Sequence, residues 1–315
     1  MRSRYLVLSL ALVAALLLAG CTGTPSGEET TATPTAVLTT AEPTTTEPAE
    51  EPAGTLTPAI TLGTMHATMM EAIEEALAYP VLNATEEKSD FEAKVAEFDV
   101  LAARFTEEAA LDSPENAETK EAFDAILVKK AAVVDAAGDF FAAYEVDRVV
   151  RTENVTVFEE SIDVFTSAFG PFTKAYFEGV SEAEFGDDDH ARSALALLTM
   201  HRDLLEGVEE AFGYVLLNDT AEKEDFWQKM QDFDTAGNAF VESGYLDRPE
   251  NSAKLAAYTA MMHEKEQMQG AASAMFDEFE ATGTVSANVA GAFEKSVDAL
   301  TTAYDALLDE VLADL

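Results

Sequence analysis

The sequence predicts an all-α protein in which two tandem up-down-up-down four-helix bundles follow a lipoprotein signal peptide and a disordered stalk. The first observation is an internal duplication, since residues 64–158 align with residues 199–293 at a constant offset of 135 and without a gap. The second is a heptad spacing of large apolar residues in both copies. The third is the lack of segments with the alternating apolar pattern of strands.

The duplication defines two domains of equal size. Thr-Met-His occurs at residues 64–66 and again at residues 199–201, and many later positions match at the same offset. Each copy spans about 120 residues, which is the usual size of one domain. We therefore expect one bundle over residues 61–181 and a second over residues 190–315.

The last segment of each copy gives the clearest helical signal. Large apolar residues recur there at steps of four and three, which is the a/d spacing of a packed helical seam. In the first copy these residues are Phe158, Ile162, Phe165, Phe169, Phe172 and Tyr176, and in the second they are Phe293, Val297, Leu300, Tyr304, Leu307 and Val311. Gly170 and Pro171 predict a kink in this helix of the first copy.

Turn residues divide each copy into four helices. The first helix is expected to end after Tyr79 and Pro80, with Asn83 or Thr85 capping the next one. A third helix is expected to start at Pro114, because proline is favoured in a first helical turn. Short connections of this kind are typical of up-down-up-down bundles.

The N-terminal segment predicts an address outside the cytoplasm. Residues 1–20 have a basic start and an apolar run, and Leu-Ala-Gly-Cys at residues 18–21 matches a lipobox. Cys21 is the only cysteine and is the expected lipidation site, whose two acyl chains suffice for stable anchoring. Residues 21–60 are rich in Thr, Pro and Glu and predict a disordered stalk. We expect the protein on the outer face of the cytoplasmic membrane, at the cell surface.

The charge of the chain restricts its partners. Sixty Asp and Glu residues stand against 19 Lys and Arg residues, which gives a formal net charge of −41. Such a surface repels nucleic acid and anionic lipid headgroups. The expected partners are the membrane, through the lipid on Cys21, and an unidentified small ligand or protein, but no nucleic acid.

One stretch of the second copy resembles a known class of modules. A helix with Glu209 and Glu210, the turn at residues 214–219, and a helix with Phe226 and Phe233 resemble the extracytoplasmic four-helix-bundle sensing modules of chemoreceptors and sensor histidine kinases. The resemblance implies an extracellular module that binds a small ligand or a protein. The sequence has no transmembrane helix after either bundle and no kinase domain, so we expect no transmembrane signalling by this chain itself.

Histidines are the candidate metal ligands. His66 and His201 occupy matched positions, Met69 and Met70 lie near His66, and His263 follows two methionines, which are soft ligands that suit copper. No histidine has the Glu-x-x-His spacing of di-iron bundles, and a position beside the helical seam explains these histidines as well. We therefore predict neither a metal site nor a cofactor. A lipoprotein that scavenges a metal or a cofactor is the alternative function.

Acidic residues also repeat between the copies. Glu71, Glu74, Glu75 and Asp99 match Glu206, Glu209, Glu210 and Asp234. Buried carboxylate pairs can perform acid–base chemistry, but Lys88 and Lys94 are close in sequence and favour a solvated helix face with interhelical ion pairs. No phosphate-binding loop or nucleophile elbow occurs, so the protein is not expected to be an enzyme.

Three sequons are candidate N-glycosylation sites. Asn83, Asn154 and Asn218 each begin an Asn-x-Thr triplet. Asn83 and Asn218 fall at the same turn of the two copies, where a helix cap explains an asparagine equally well.

Overall fold

The structure, a computed structural model, describes residues 56–180 and 189–313. The all-α prediction is confirmed, since these residues form long α-helices, two short 3-10 helices and no strand. The α-helices are α1 (Leu56–Leu82), α2 (Thr85–Glu108), α3 (Ala117–Asp147), α4 (Thr152–Val180), α5 (Asp189–Leu217), α6 (Thr220–Glu242), α7 (Ser252–Thr282) and α8 (Ala287–Leu312). The 3-10 helices, Pro114–Asn116 and Pro249–Asn251, precede α3 and α7.

The N-terminal boundary of the first helix differs from the predicted one. The predicted signal peptide and Cys21 lie outside the described residues, as does the stalk up to residue 55. Helix α1 begins inside the predicted stalk, at Leu56, because Ala59 and Leu62 are already buried in the core. In this described part of the chain, no helix combines the length and the hydropathy that crossing a bilayer requires.

The turns differ from the predicted caps in one respect. The N-cap of α2 is Ala84, which provides no side-chain cap, whereas Asn83 adopts a positive φ of 52° that ends α1. Asparagine tolerates this left-handed conformation better than most residues do. In the second copy Asn218 does the same with a φ of 56°, and the N-cap residue Asp219 accepts a hydrogen bond from the backbone of Ala221.

The apolar seams form a continuous core. The phenylalanines spaced seven residues apart on α2 and α6 are buried, namely Phe91, Phe98, Phe105, Phe226, Phe233 and Phe240. They meet the seams of α4 and α8 within one cluster that includes both copies. Burying one such side chain contributes about 1.5–3 kcal/mol, so this cluster dominates the stability of the fold. Helix α4 continues through Pro171 to Val180.

The two copies pack on each other through matched helices. Within the copies, α1 packs on α2 and α3 on α4, and likewise α5 packs on α6 and α7 on α8. Between the copies, α1 packs along α5, where Gly63 leaves room for Leu198, whose side chain lies 2.8 Å from the place of a Cβ. In addition, α4 contacts α5 and α8 contacts α1. The last helix of each copy therefore touches the first helix of the other copy.

Candidate metal centres

Some of the repeated carboxylates form the predicted interhelical ion pairs. In the first copy Lys94 contacts Glu71, and Lys130 contacts Asp99 at 2.9 Å. The second copy repeats both, as Lys229 with Glu206 and Lys265 with Asp234. The prediction of ion-paired acidic residues is confirmed at these positions.

The predicted solvated face is wrong for the other repeated carboxylates. Glu74 and Glu209 are only 8% and 6% exposed, and Glu75 and Glu210 are half-buried. The physical reason is the packing between the copies, because α8 of the second copy lies against α1 and α4 of the first copy lies against α5. The periodicity of one helix does not reveal which other helix covers it.

Each of these glutamates belongs to a cluster of six carboxylates. The first cluster consists of Glu74, Glu75, Glu87, Asp90, Glu294 and Asp298, and Glu71, which is ion-paired with Lys94, lies beside it. The second cluster consists of Glu209, Glu210, Glu222, Asp225, Glu159 and Asp163. Every member of one cluster has its counterpart 135 residues away in the other. In both clusters, four carboxylates come from the first two helices of one copy and two come from the last helix of the other copy.

The first cluster brings three carboxylates within reach of one ion. Oxygen atoms of Glu75, Glu87 and Asp90 all lie within 4.8 Å of one another. Ca²⁺ binds oxygen at 2.3–2.6 Å, so a single ion spans oxygens up to about 5 Å apart. Glu87 is buried and Asp90 is exposed, which gives this group a closed inner end and an outer end open to solvent.

The second cluster holds a buried carboxyl group with one unsatisfied oxygen. Glu159 is 8% exposed, and its side chain is hydrogen-bonded to that of Glu209, but no donor of the described residues reaches its Oε1 atom. Gly213 provides the space beside it, because a Cβ there would lie 3.1 Å from Oε1 of Glu159 and 3.4 Å from Oε2 of Glu222. Two oxygens from different copies thus approach the same point above the Gly213 backbone.

Burial and mutual repulsion disfavour the charged form of these groups. Burial is the largest cause that raises the pKa of Glu74 and Glu209 well above the ordinary value, and nearby carboxylates raise both further. Burial and then a hydrogen bond to a neighbouring glutamate raise the pKa of Glu75 to about 11 and that of Glu210 to about 10. Burial raises the pKa of Glu159 to about 7. Within residues 56–180 and 189–313, no lysine or arginine forms an ion pair with these five groups.

The chemistry of the clusters follows from their ligand atoms. Both offer carboxylate oxygens, which suit hard cations such as Ca²⁺, Mg²⁺ and Mn²⁺, whereas copper and zinc favour nitrogen and sulfur. A bound dication would supply a counter-charge to Glu74, Glu75, Glu159, Glu209 and Glu210, and would favour their ionised forms.

The histidines lie elsewhere. His66 and His201 are buried beside Phe169 and Tyr304, and burial lowers the pKa of His66 to about 4 and that of His201 to about 3. Nε2 of His66 lies 3.7 Å from Oε1 of the glutamate at position 206, which is ion-paired with a lysine. His263 is exposed on α7. Neither buried histidine belongs to the close ligand group found in the described part of the chain.

Glu87, Asp90 and Glu159 were not predicted as site residues, although the duplication provides a signal for them. Glu87 and Asp90 have identical counterparts in the second copy, as does Glu159 in Glu294. A match between copies at a polar position marks a shared environment, but only the packing shows that the environment is a carboxylate cluster.

The candidate modification sites are placed as follows. Asn83 and Asn218 are exposed at the turns after α1 and α5, and Oδ1 of Asn83 accepts a hydrogen bond from the hydroxyl of Tyr144 at 3.1 Å. Asn154 is half-buried in the first turn of α4. Glycosylation at these sites stays a prediction, as does lipidation of Cys21.

No family profile, curated protein or solved structure matches this chain. The resemblance to sensing modules therefore remains a sequence-based prediction.

Proposed function

We propose that this protein is a lipid-anchored, extracytoplasmic binding protein that holds hard divalent cations in its two carboxylate clusters. The observation that carries the proposal is the partnerless, buried Oε1 atom of Glu159, which faces Glu222 across the space left by Gly213. The duplicated arrangement around Glu74 supports it, because the same six acidic positions occur there again. This function develops the metal-binding alternative, with carboxylates as ligands in place of histidines.

The energetics support a bound cation. Burying an ionised carboxylate without a partner is strongly unfavourable, and removing the counter-charge from a buried pair costs about 3–5 kcal/mol. A chain whose only task is a stable bundle gains nothing from placing Glu74 and Glu209 in its interior. A dication offsets this cost through direct bonds to several oxygens.

The expected location fits this chemistry. The lipobox at residues 18–21 and the Thr/Pro/Glu-rich segment after it support a stalk that holds two helical bundles outside the membrane. Extracellular calcium modules bind with dissociation constants of about 10⁻⁴–10⁻³ M, a range suited to external ion concentrations. In this proposal the protein binds its ligand without catalysis, and its anchor is the lipid on Cys21. Mass spectrometry of the mature N-terminus tests the anchor.

Calorimetry on the metal-free protein tests the proposal. We expect saturable binding of Ca²⁺ or Mn²⁺ at two sites per chain and a rise in melting temperature, since a ligand at a hundredfold excess over its dissociation constant stabilises the fold by about 2.7 kcal/mol. The double variant Glu74→Gln with Glu209→Gln should lose this binding. A matched control is Glu115→Gln with Glu250→Gln, which removes two exposed carboxylates that are also 135 residues apart.

Two results would overturn the proposal. One is the absence of binding by Ca²⁺, Mg²⁺ and Mn²⁺ at neutral pH, which would mean that the clusters are stable protonated carboxyl groups. The other is binding of copper or zinc that is lost in the variant His66→Ala with His201→Ala and kept in the glutamate variant. That result would favour the histidine alternative.

A further inference from the structure

The carboxylates of the second cluster come from both copies, so their interactions affect how the copies pack together. Glu159 lies on α4 of the first copy, whereas Glu209 and Glu222 lie on α5 and α6 of the second copy. Building on the proposed function, we infer that a cation in the second cluster fastens α4 to α5 and α6, so that cation occupancy controls the packing between the copies.

Helix α4 has two different kinds of neighbours. Apolar contacts tie it to its own copy, where Phe158 stacks on Phe140 with 5.7 Å between ring centroids and Phe165 meets Phe98 at 6.4 Å. Toward the second copy, Glu159 faces carboxylates. The side of α4 that faces its own copy therefore needs no ion, whereas the side that faces the second copy brings like charges together.

The second acidic position on α4 extends this repulsion toward solvent. Asp163 lies one turn after Glu159, and the pKa of Asp163 is raised first by partial burial and then by Glu160 and by Asp225 of the second copy. Ionised carboxylates on both sides of the α4–α6 gap repel each other unless a cation lies between them. Without the cation, this end of α4 is held to the second copy by its packing on α5 and by the hydrogen bond between Glu159 and Glu209, which is lost when both carboxyl groups ionise.

The remaining contact between the copies limits how far the opening extends. Helices α1 and α5 pack along each other, with Leu198 against Gly63 at an apolar contact that requires no ion. Cation release should therefore loosen residues 152–163 and the facing part of α5 and α6, while the copies stay joined through α1 and α5.

The first cluster provides an internal control. Its closest ligand group, formed by Glu75, Glu87 and Asp90, lies within the first copy. On the side of α8, Leu82 approaches the place of a Cβ on Gly291 at 4.0 Å, which is an ordinary apolar contact. A cation held by those three residues does not depend on α8.

Hydrogen exchange measured by mass spectrometry on the full-length mature protein tests the inference. In EGTA we expect exchange in residues 152–163 and 207–225 to be about 5- to 150-fold faster than in saturating Ca²⁺, the usual range for a coupling between sites. Glu159→Gln should abolish this Ca²⁺ effect in residues 152–163 and retain the Ca²⁺ effect in residues 71–90. Glu160→Gln, which changes the exposed neighbour on the same helix, should behave as the wild type.

The outcomes separate the inference from the proposed function. If calorimetry detects no binding of Ca²⁺, Mg²⁺ or Mn²⁺, the proposed function fails. If two ions bind but exchange in residues 152–163 is the same with Ca²⁺ and with EGTA, the proposed function stands and the inference fails. The wild-type comparison decides this without any variant, so a folding defect in Glu159→Gln does not affect the conclusion.

Discussion

The two carboxylate clusters use the same six acidic positions but bury different members. In the first cluster the buried pair is Glu74 and Glu87, and both belong to the first copy. In the second cluster the buried pair is Glu209 and Glu159, which belong to different copies. Identical residues have thus produced one site mainly within a copy and one site between copies.

One difference beside the two clusters is a single methyl group. The position of Gly213 in the second copy is occupied by Ala78 in the first. The missing Cβ lets the Glu159 carboxylate approach the backbone of α5, whereas Glu294, the counterpart of Glu159 in the second copy, is half-buried. The comparison shows that identical acidic residues can be buried to different degrees where the space beside them differs.

The largest expected effect is the pH dependence of the metal-free protein. Folding raises the pKa of Glu74, Glu75, Glu159, Glu209 and Glu210, so above about pH 4.5 the folded state holds protons that the unfolded state has released. The stability that these groups contribute is therefore complete below that pH and is lost as the pH rises through their folded pKa values. In EGTA the melting temperature should fall by more than about 5 °C between pH 6.5 and 9.

The same experiment with saturating Ca²⁺ provides the contrast. The ion replaces the protons, so the decline between pH 6.5 and 9 should become much smaller. His66 and His201 do not cause the decline, because burial lowers their pKa values. Near pH 6.5 the unfolded state therefore binds more protons at these histidines than the folded state does, and their small contribution to stability rises with pH. Equal slopes with Ca²⁺ and with EGTA would contradict the prediction.

The next largest effect distinguishes the contributions of α4 and α8, the helices that add carboxylates from the other copy to the second and the first cluster. Glu159→Gln should weaken Ca²⁺ binding at one of the two sites by at least about tenfold, because it removes a buried ligand. Glu294→Gln should change the affinity of the other site by less than about threefold, since the close ligand group there lies within the first copy. Calorimetric titration of both variants measures the two affinities. Equal losses would mean that both clusters depend on the other copy to the same degree.

Exchanging Gly213 and Ala78 tests how much the missing Cβ contributes to the difference between the two clusters. Gly213→Ala places a Cβ 3.1 Å from Oε1 of Glu159 and should weaken binding at the second cluster several-fold. The same change should stabilise the metal-free helix by up to about 1 kcal/mol, because alanine favours the helix over glycine. The reverse change, Ala78→Gly, should destabilise α1 by about 0.5–1 kcal/mol. Denaturation in EGTA and titration with Ca²⁺ measure these opposite effects, and a loss of both stability and affinity in Gly213→Ala would contradict the expected separation.

The smallest effect concerns the carboxylates that have lysine partners. Glu145 pairs with Lys88 at 2.8 Å, and Lys223 pairs with Glu280 at the matched position. Surface ion pairs of this kind contribute about 0–1 kcal/mol. Glu145→Gln should therefore change the free energy of unfolding by less than about 1 kcal/mol and leave Ca²⁺ affinity unchanged. A large loss of affinity would show that paired and unpaired carboxylates act together.

The helical class and much of the core were predictable from local patterns. The heptad spacing identified the buried faces of α4 and α8, and the lysines near Glu71 identified its ion pair. The environment of Glu74 was not predictable, because both copies carry the same seams and the sequence does not say whether a seam pairs within a copy or between copies. The capping role of Asn83 was also misjudged, since asparagine suits both a cap and a left-handed turn.

Because α1 packs on α5, it matters that both copies belong to one polypeptide. A single copy does not provide Glu159 together with Glu209, and its first helix lacks the helix of the other copy that packs along it. Copies produced as separate polypeptides would need to find each other before the shared ligand set existed, and binding would then vary with protein concentration. Covalent linkage turns that encounter into an intramolecular step, so the shared set of carboxylates is complete at any protein concentration.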